Sequence, residues 1–584
     1  MRRECIGDAS EKAFLKFTED RIGNVLAFRT AHPKLAEIPF NSANKFQVSI
    51  HHCQENDKLK QGPLLVMKGA PERVFERCST IYMKGKSLPI VRHVREQFDE
   101  VFLKLGGIGE RVLGFADCYL PRQPYSNKNF KFDTNKVNFP IKELRFLGFV
   151  SLVDPPRASV PYSIAKCREA GIQVVMVTGD HPVTAKAIAR AVGIISPNSY
   201  TREELAQQRG LSIEQIDPRE TTACVVHGGQ LREMSTGQLD EILNLYSEIV
   251  FARTSPTQKL NIVESFQRRQ KFVAVTGDGV NDSPALRRAN IGVAMGISGS
   301  DVSKQVADMI LLDDNFSTIV TGIEEGRVIF DNLKKSIAYT MTSKIPELLP
   351  FILFMLFDLP LMMGTVTILC IDLGTDMLPA ISMAYEVAEK DIMKRKPRDP
   401  KKDRLVNARL LAMAFLQIGV MQALAALFTA FLVFSVNGFL PDRLYGLRSD
   451  WTDKTNKALI DSYGQEWTMS QRMELQYTVY TCFFVTVVIV QWTDLLICKT
   501  RRLSIFQHGC ANNKMTFALF FETGLALLLQ MVPGLNVALQ LRPMRYSWWC
   551  AGLPWALLIL IYDELRKAWI RRYPDGFIFE ETYY

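Results

Sequence analysis

The chain has 584 residues, with 70 lysines and arginines against 61 acidic residues and a formal charge of +9. At roughly 150 residues per domain this length predicts about four structural units, which excludes a small binding module, and so mild a basic excess does not argue for nucleic acid as a partner. Apolar residues make up 47% and charged residues 22%, but most of the long apolar runs lie after residue 336, so the average describes two kinds of protein in one chain.

The N-terminal stretch MRRECIGDASEKAF is charged and lacks the apolar core of a signal peptide, which places the N-terminus in the cytosol. The eleven cysteines are scattered with no CxxC pair, a pattern that fits neither a disulfide framework nor a structural zinc site. Residues 1–144 are mixed in pattern and contain IPFNSANKFQVSI and LLVMKGAPERVFERC. Phe40 offers a stacking ring, Lys45 and Gln47 a cation and an amide, and Lys68–Gly69 a turn that a ligand can approach closely, a set that suits an adenine nucleotide. On these residues alone, a strand edge with an exposed lysine is an equal reading.

Residues 145–315 alternate short β-branched runs with helical stretches: FLGFVSLVD, a helix near 160–170, VVMVTGD, a helix near 182–192, FVAVTGDGVND, NIGVAM and MILLDD. This alternation predicts a doubly wound parallel sheet, with ligands beyond the carboxyl ends of its strands. Asp154, Asp180, Asp278 and Asp282 fall there. Asp278 and Asp282 are candidates to hold Mg²⁺ against a phosphoryl group, Thr178 and Gly179 to donate to phosphate oxygens, and Lys259 to neutralise charge. A lone carboxylate at a strand end is also a common turn residue; two TGD copies in one sheet favour phosphoryl chemistry.

Six segments predict membrane spans of about 20 residues each: 337–357, 362–385, 410–436, 475–497, 515–533 and 547–563. The 390–409 connection carries nine basic and three acidic residues, and basic groups also follow the fourth and sixth spans. The positive-inside rule makes these segments cytoplasmic, puts both termini inside and leaves 437–474 outside. Ionisable groups within spans are costly and mark function. In the first span Ser343, Lys344 and Glu347 share a helix face; in the second, Asp372 and Asp376 stand at i,i+4. Pro346 and Pro379 deprive the carbonyls of Thr342 and Thr375 of their helical donors. Carboxylates beside freed carbonyls predict an alkali-cation site, the competing reading being an ion pair that only ties helices together. Gln491, Asp494 and Glu522 join the candidates, with snorkelling to the interface as their alternative.

GDASE, IPFNSANKFQ, MKGAPERVFERC, IGERVLGF, VDPPR, MVTGDHPVTAKAIA, ARTSPTQK, VTGDGVNDSPAL, GTVTILCIDLGTDM, DSYGQEW, QWTDLLICKTRR and ETYY occur in this order. In these motifs the chain resembles, nearly end to end, the catalytic alpha subunits of sodium/potassium-transporting P-type ATPases. The resemblance implies an α/β cytoplasmic part plus an all-α membrane domain: a partial nucleotide-binding domain (1–144), a HAD-like doubly wound phosphorylation domain lacking its first strand (145–332) and a six-helix transmembrane domain (333–584). It implies a multi-pass plasma-membrane pump that exports Na⁺ and imports K⁺ through an aspartyl phosphate, with ATP and Mg²⁺. By matching motif, Glu11, Phe40, Lys45, Gln47, Lys68, Gly69 and Arg111 would hold ATP. Thr178, Gly179, Asp180, Lys259, Asp278, Asn281 and Asp282 would hold phosphate and Mg²⁺, while Tyr339, Thr342, Ser343, Glu347, Asp372, Asp376, Gln491, Asp494 and Glu522 would line cation sites. Ser462, Tyr463, Gly464 and Gln465 would meet a beta subunit, a small single-span regulatory subunit is a further partner, and the Tyr583–Tyr584 tail would pack near the cation region.

Three departures stand out. The DKTGT nucleophile, its preceding TGES loop and four further spans have no counterpart, so the chain is expected to begin inside the nucleotide-binding domain and to form no phosphoenzyme alone. The DKT at Asp453–Thr455 is followed by Asn456 and falls in the external loop. Lys344 stands where sodium pumps resemble one another in carrying asparagine, and proton pumps carry lysine one position earlier, at Ser343 here; a tethered ammonium is expected to replace one transported cation. Phe521 beside Glu522 replaces an acidic residue. A potassium/proton pump, and a non-catalytic membrane protein that binds the beta subunit or regulates a complete pump, stay open as alternatives.

Overall fold

In the computed structural model, residues 9–583 are described except 42–43, 54–61, 128–129, 135, 402, 457, 510 and 575; Tyr584 lies outside the described residues. The chain forms two units, Met1–Thr318 and Ile319–Tyr584.

The first unit opens with a seven-stranded sheet. Its strands are β1 (Lys34–Ile38), β2 (Phe46–His51), β3 (Leu64–Gly69), β4 (Cys78–Met83), β5 (Lys86–Pro89), β6 (Arg111–Tyr119) and β7 (Leu144–Leu152), in the order β1-β2-β3-β6-β7-β4-β5. All neighbours are antiparallel except the parallel pair β4–β7. Strict alternation in FQVSIH and LLVMKG sends Phe46, Val48, Ile50, Leu65 and Met67 into one core with Phe75, Phe98 and Phe146. The opposite face presents Gln47, Lys68 and Phe115 in register, and the helix Ala9–Ile22 approaches it through Phe14, whose ring meets Phe115 edge-on at 5.6 Å.

FLGFVSL, read from sequence as the first strand of the parallel sheet, is β7 and pairs antiparallel with β6 and parallel with β4 in this mixed sheet. A short apolar run fits either environment, and only its partners decide. The parallel strands form two separate three-stranded sheets rather than one. The first is β8 (Met176–Val177), β10 (Glu248–Ala252) and β9 (Ala223–His227), and the second is β11 (Ala274–Gly277), β12 (Ile291–Met295) and β13 (Met309–Leu311). Among the described residues, no strand pairs the outer edge of β8 or of β11. Every residue of β10 is buried, as a central parallel strand requires, whereas Ala274 and Thr276 of β11 are exposed. The helices Pro182–Val192 and Pro256–Arg268 follow β8 and β10; Ser255 and Gln258 close a capping box on the second, with Pro256 in its first turn.

In the second unit, four helices among the described residues are long and apolar enough to cross a bilayer: Thr365–Tyr385, Ala408–Val436, Met469–Cys498 and Asn513–Met531. Met469–Cys498 is buried almost all round and forms the centre of the bundle. The segment expected at 337–357 is divided at Ser343 between the helices Phe316–Thr342 and Lys344–Leu356. The one expected at 547–563 runs from a 3₁₀ turn into Leu553–Arg572, whose last turns are charged. Thr365–Tyr385 contains a π-helical stretch at Cys370–Thr375. Gly419 on the next helix is required by close packing: a Cβ there would lie 3.0 Å from the Thr342 carbonyl and 2.7 Å from that of Ala414.

Candidate functional site

The first unit gathers its predicted residues in two places. On the open face of the seven-stranded sheet, Gln47 and Lys68 are direct cross-strand partners. Gln47 donates to Glu37 at 2.5 Å, and Lys68 pairs with Glu11 from the covering helix. The Arg111 guanidinium lies 3.5 Å from the Ser10 hydroxyl on that helix. Gly69 sits so close to the start of β2 that a Cβ would lie 2.5 Å from the Lys45 carbonyl and 2.7 Å from the Phe46 Cα. Phe40 is 60% exposed, as a ring waiting to stack would be. Burial first, and then Arg253, drives the Lys45 ammonium down to about 8.

The second place is the carboxyl end of the parallel strands. The loop after β10 ties to the first TGD: Arg253 N donates to the Asp180 carbonyl at 3.0 Å, and the Thr254 hydroxyl donates to the Thr178 carbonyl at 3.0 Å. Thr178 Oγ1 donates to Asp180 Oδ2 at 3.1 Å, and the exposed Gly179 lies between them. Lys259, one turn into the following helix, reaches Asp282 at 2.5 Å and so brings in the second TGD. The Asp278 backbone is fixed by Ser300 N (2.8 Å) and Ser303 Oγ (3.1 Å), while Asn281 is exposed beside it. Asp154 is exposed beyond the end of β7, in the wake of a different sheet. Asp278 and Asp282 offer only oxygen donors, which fits a hard divalent cation such as Mg²⁺.

In the second unit, Glu347, Asp372 and Asp376 place one carboxylate oxygen each within 4.8 Å of one another. Asp372 and Asp376 lie one helical turn apart, and the helices beside the group are interrupted at Ser343 and by the π-helical turn at 370–375. Lys344 lies in this group, 3.1 Å from Glu347 and paired with Asp372. Ser343 Oγ donates to the Thr340 carbonyl at 3.1 Å. Beside the triad, Thr342 donates to Asp494, and Tyr339, Gln491 and Glu522 are fully buried. The Tyr339 hydroxyl, the Gln491 amide and both Glu522 oxygens have no hydrogen-bond partner among the described residues. Buried polar groups left so are costly unless a ligand serves them.

Sequence reasoning missed an ion network at the base of this bundle. Glu389 is fully buried against Lys335 at 3.5 Å, Arg395 at 3.3 Å and the Arg501 amide at 3.0 Å. The Arg501 guanidinium stacks 4.8 Å from the Tyr583 ring, and Arg566 donates to the Thr582 carbonyl at 3.2 Å, so the tail is held to this base. In the 437–474 loop, Asp461 accepts from Tyr463 N and Gln465 N at 2.9 Å and from Trp467 Nε1 at 3.1 Å. These bonds leave Tyr463 70% exposed at the tip of the turn.

Two family descriptions match the chain: "P-type ATPase, cytoplasmic domain N" over residues 1–159, and "Cation transporting ATPase, C-terminus" over 360–569. The chain is 58% identical over 583 residues to the sodium/potassium-transporting ATPase subunit alpha-2 of Sus scrofa, covering 100% of this chain and 57% of that protein. It is 59% identical over 584 residues to the subunit alpha-A of Artemia franciscana, covering 100% of this chain and 58% of the relative. It is 58% identical over 584 residues to the alpha subunit of Drosophila melanogaster, covering 56% of that relative. The chain thus spans somewhat over half the length of the curated relatives it matches.

Proposed function

The chain belongs to the cation-transporting P-type ATPases, and we propose that it supplies the nucleotide-binding, phosphoryl-handling and cation-binding parts of the alpha subunit of an ATP-driven pump that exports Na⁺ and takes up K⁺. Glu11, Phe40, Lys45, Gln47, Lys68, Gly69 and Arg111 bind ATP on the open sheet face. Thr178, Gly179, Asp180 and Asn281 orient the phosphoryl group, and Lys259 offsets its charge. Mg²⁺, when bound by Asp278 and Asp282, neutralises phosphoryl oxygens. Asp453 is not read as the phosphoryl acceptor, because Asn456 follows its DKT and it lies in the 437–474 loop, where Thr455 N and Oγ1 donate to it at 2.8 and 2.7 Å. The open edges of β8 and β11 can accept a further strand carrying the acceptor, in a six-helix, HAD-like architecture.

The observation that carries the reading is the triad Glu347, Asp372 and Asp376, the first and last buried and Asp372 half-buried, within 4.8 Å across interrupted helices. Tyr339, Thr342, Ser343, Gln491, Asp494 and Glu522 extend it as a path of oxygen ligands for Na⁺ and K⁺. Lys344 is a resident cation among these carboxylates, and it reduces the number of ions carried per ATP. The exposed Ser462–Gln465 turn meets a beta subunit on the outer face of the plasma membrane, with both termini cytosolic. The test is binding of radiolabelled Rb⁺ to membranes bearing the chain with a beta subunit. Asp376→Asn is expected to abolish saturable binding, and unchanged binding in that variant would sink the cation-site reading.

A further inference from the structure

The helix Thr365–Tyr385, which carries Asp372 and Asp376, ends against the connection between Met469–Cys498 and Asn513–Met531. Glu386, the next residue, is buried and meets three side chains of that connection. His508 Nε2 lies 3.0 Å from Glu386 Oε1, Lys499 Nζ lies 3.5 Å from the same oxygen, and Asn512 Nδ2 donates to Oε2 at 3.1 Å. Asn512 Nδ2 also donates to the Ser382 carbonyl at 3.1 Å, and the Lys514 ammonium stands 3.1 Å from the centre of the Tyr385 ring. From the other side, Asn332 Nδ2 donates to the Glu386 carbonyl at 2.8 Å.

The carboxylate has more cations to serve than it can satisfy. The Lys499 ammonium is buried and has no hydrogen-bond partner among the described residues, and the His508 side chain is only 3% exposed. Burial works against the Glu386 charge, but His508, Asn512 and Lys499 outweigh it and hold the carboxyl below its ordinary range. Charged groups on the neighbouring elements already have partners: Lys335 pairs with Glu389 at 3.5 Å, Arg501 with Asp331 at 2.7 Å, and Glu564 accepts from Ile505 N at 2.9 Å. Of these side-chain types, imidazole is the one that ordinarily changes charge between roughly pH 5 and 8. Neutral, with its proton on Nε2, His508 offers Glu386 an ordinary hydrogen bond; protonated, it offers a charge-assisted one about twice as strong.

We propose that His508 and Glu386 form a proton-responsive clasp on the 385 end of the helix bearing Asp372 and Asp376, and that the clasp tightens when the imidazole is charged. The short stretch Met377–Tyr385 lies between the π-helical turn at 370–375 and this clasp, which is its anchored end. As pH falls from 8 to 6 the clasp gains a charge-assisted bond; as pH rises it keeps a neutral one, with Lys499 left as the cation at Glu386 Oε1. The clasp needs only the folded bundle and stands or falls independently of the pump reading.

The test is hydrogen–deuterium exchange of the full 584-residue chain in detergent at pH 6 and pH 8, with exchange times corrected for the intrinsic rate. Peptides covering 383–391 and 504–509 read the clasp, and the wholly buried 482–490 stretch reads global opening. Opening of the clasp peptides is expected to be about fivefold rarer at pH 6 than at pH 8, the gap between a neutral and a charge-assisted hydrogen bond. His508→Gln keeps a donor that cannot be charged and should abolish the difference. His508→Lys keeps a charge throughout and should hold the protected level at both pH values. Equal protection of the native chain at pH 6 and pH 8 overturns the proposal without any variant. A pH effect of native size in His508→Gln overturns it as well, because the proton then acts elsewhere.

Discussion

Lys344 and Asp372, 28 residues apart, form a half-buried ion pair on the helix bundle, with Glu347 3.1 Å from the ammonium. A lysine held this way has the charge of a bound alkali ion but cannot leave. Two positive charges about 4 Å apart repel by about 4 kcal/mol at an effective dielectric constant of about 20, close to a thousandfold in affinity.

Lys344→Asn, in a complete pump containing this bundle, is therefore expected to raise the number of cations moved per ATP hydrolysed. Paired measurements of Rb⁺ uptake and phosphate release check it. An unchanged ratio would mean that the ammonium lies outside the transported set.

A polypeptide of these 584 residues, incubated with Mg²⁺ and γ-labelled ATP, is expected to gain no acid-stable, hydroxylamine-labile phosphate. Label recovered on one of its peptides would identify an acceptor carboxylate within these residues and overturn the expectation.

Nucleotide affinity is expected to fall as pH rises from 7 to 9. Lys45 is charged below about 8 and neutral above it, and a polyphosphate needs the charged form. The loss should be about tenfold, the weight of one charge-assisted hydrogen bond. Lys45→Arg keeps its charge throughout and should flatten the profile.

Glu389 makes a pH-dependent contribution to stability. Burial works against its charge, but Lys335, Arg395 and the Arg501 amide outweigh it and hold the carboxyl at about 2, against 4.5 for the free group. Since the folded value lies below the unfolded one, the stabilisation is fully present above about 4.5 and is lost as pH falls through about 2, amounting to about 3 kcal/mol. Thermal unfolding of the detergent-solubilised chain between pH 6 and 3 should show this loss, and Glu389→Gln should show a lower melting point with a weaker pH dependence.

Gly69→Ala is expected to weaken nucleotide binding and stability together. Its methyl would lie 2.5 Å from the Lys45 carbonyl, and relieving such an overlap costs about 1–3 kcal/mol. Retention of both properties would mean that β2 and β3 can separate freely.

The carboxylate cluster was partly readable in sequence, because two carboxylates at i,i+4 in an apolar run are too costly to keep in a bilayer without a positive charge to face, and the structure brings Glu347 to them. Its backbone interruptions were only half readable: Pro346 and Pro379 marked them, but no residue announced the π-helical turn at 370–375. FLGFVSL was assigned to the wrong sheet because alternation reports burial, not partners. β9 and β10 were missed, although EIVFA is a wholly apolar and aromatic run behind a single glutamate, just before ARTSPTQK. The Glu72–Arg253 pair spans 181 residues, a separation at which no periodicity connects two charges. Glu389 was passed over for the opposite reason: it looks like one more charge in a charged connection until Lys335 and Arg395 fold over it.

Among the described residues no strand covers the outer edge of β8 or of β11, which bears on the handling of the polypeptide rather than on its chemistry. Each displays amide and carbonyl groups that an extended segment can complete, which is the template natural sheets normally hide. In a preparation of these 584 residues, each edge can recruit an extended segment from a second polypeptide or from another copy. Adding a strand-forming peptide to such a preparation should slow aggregation more than any substitution within the core.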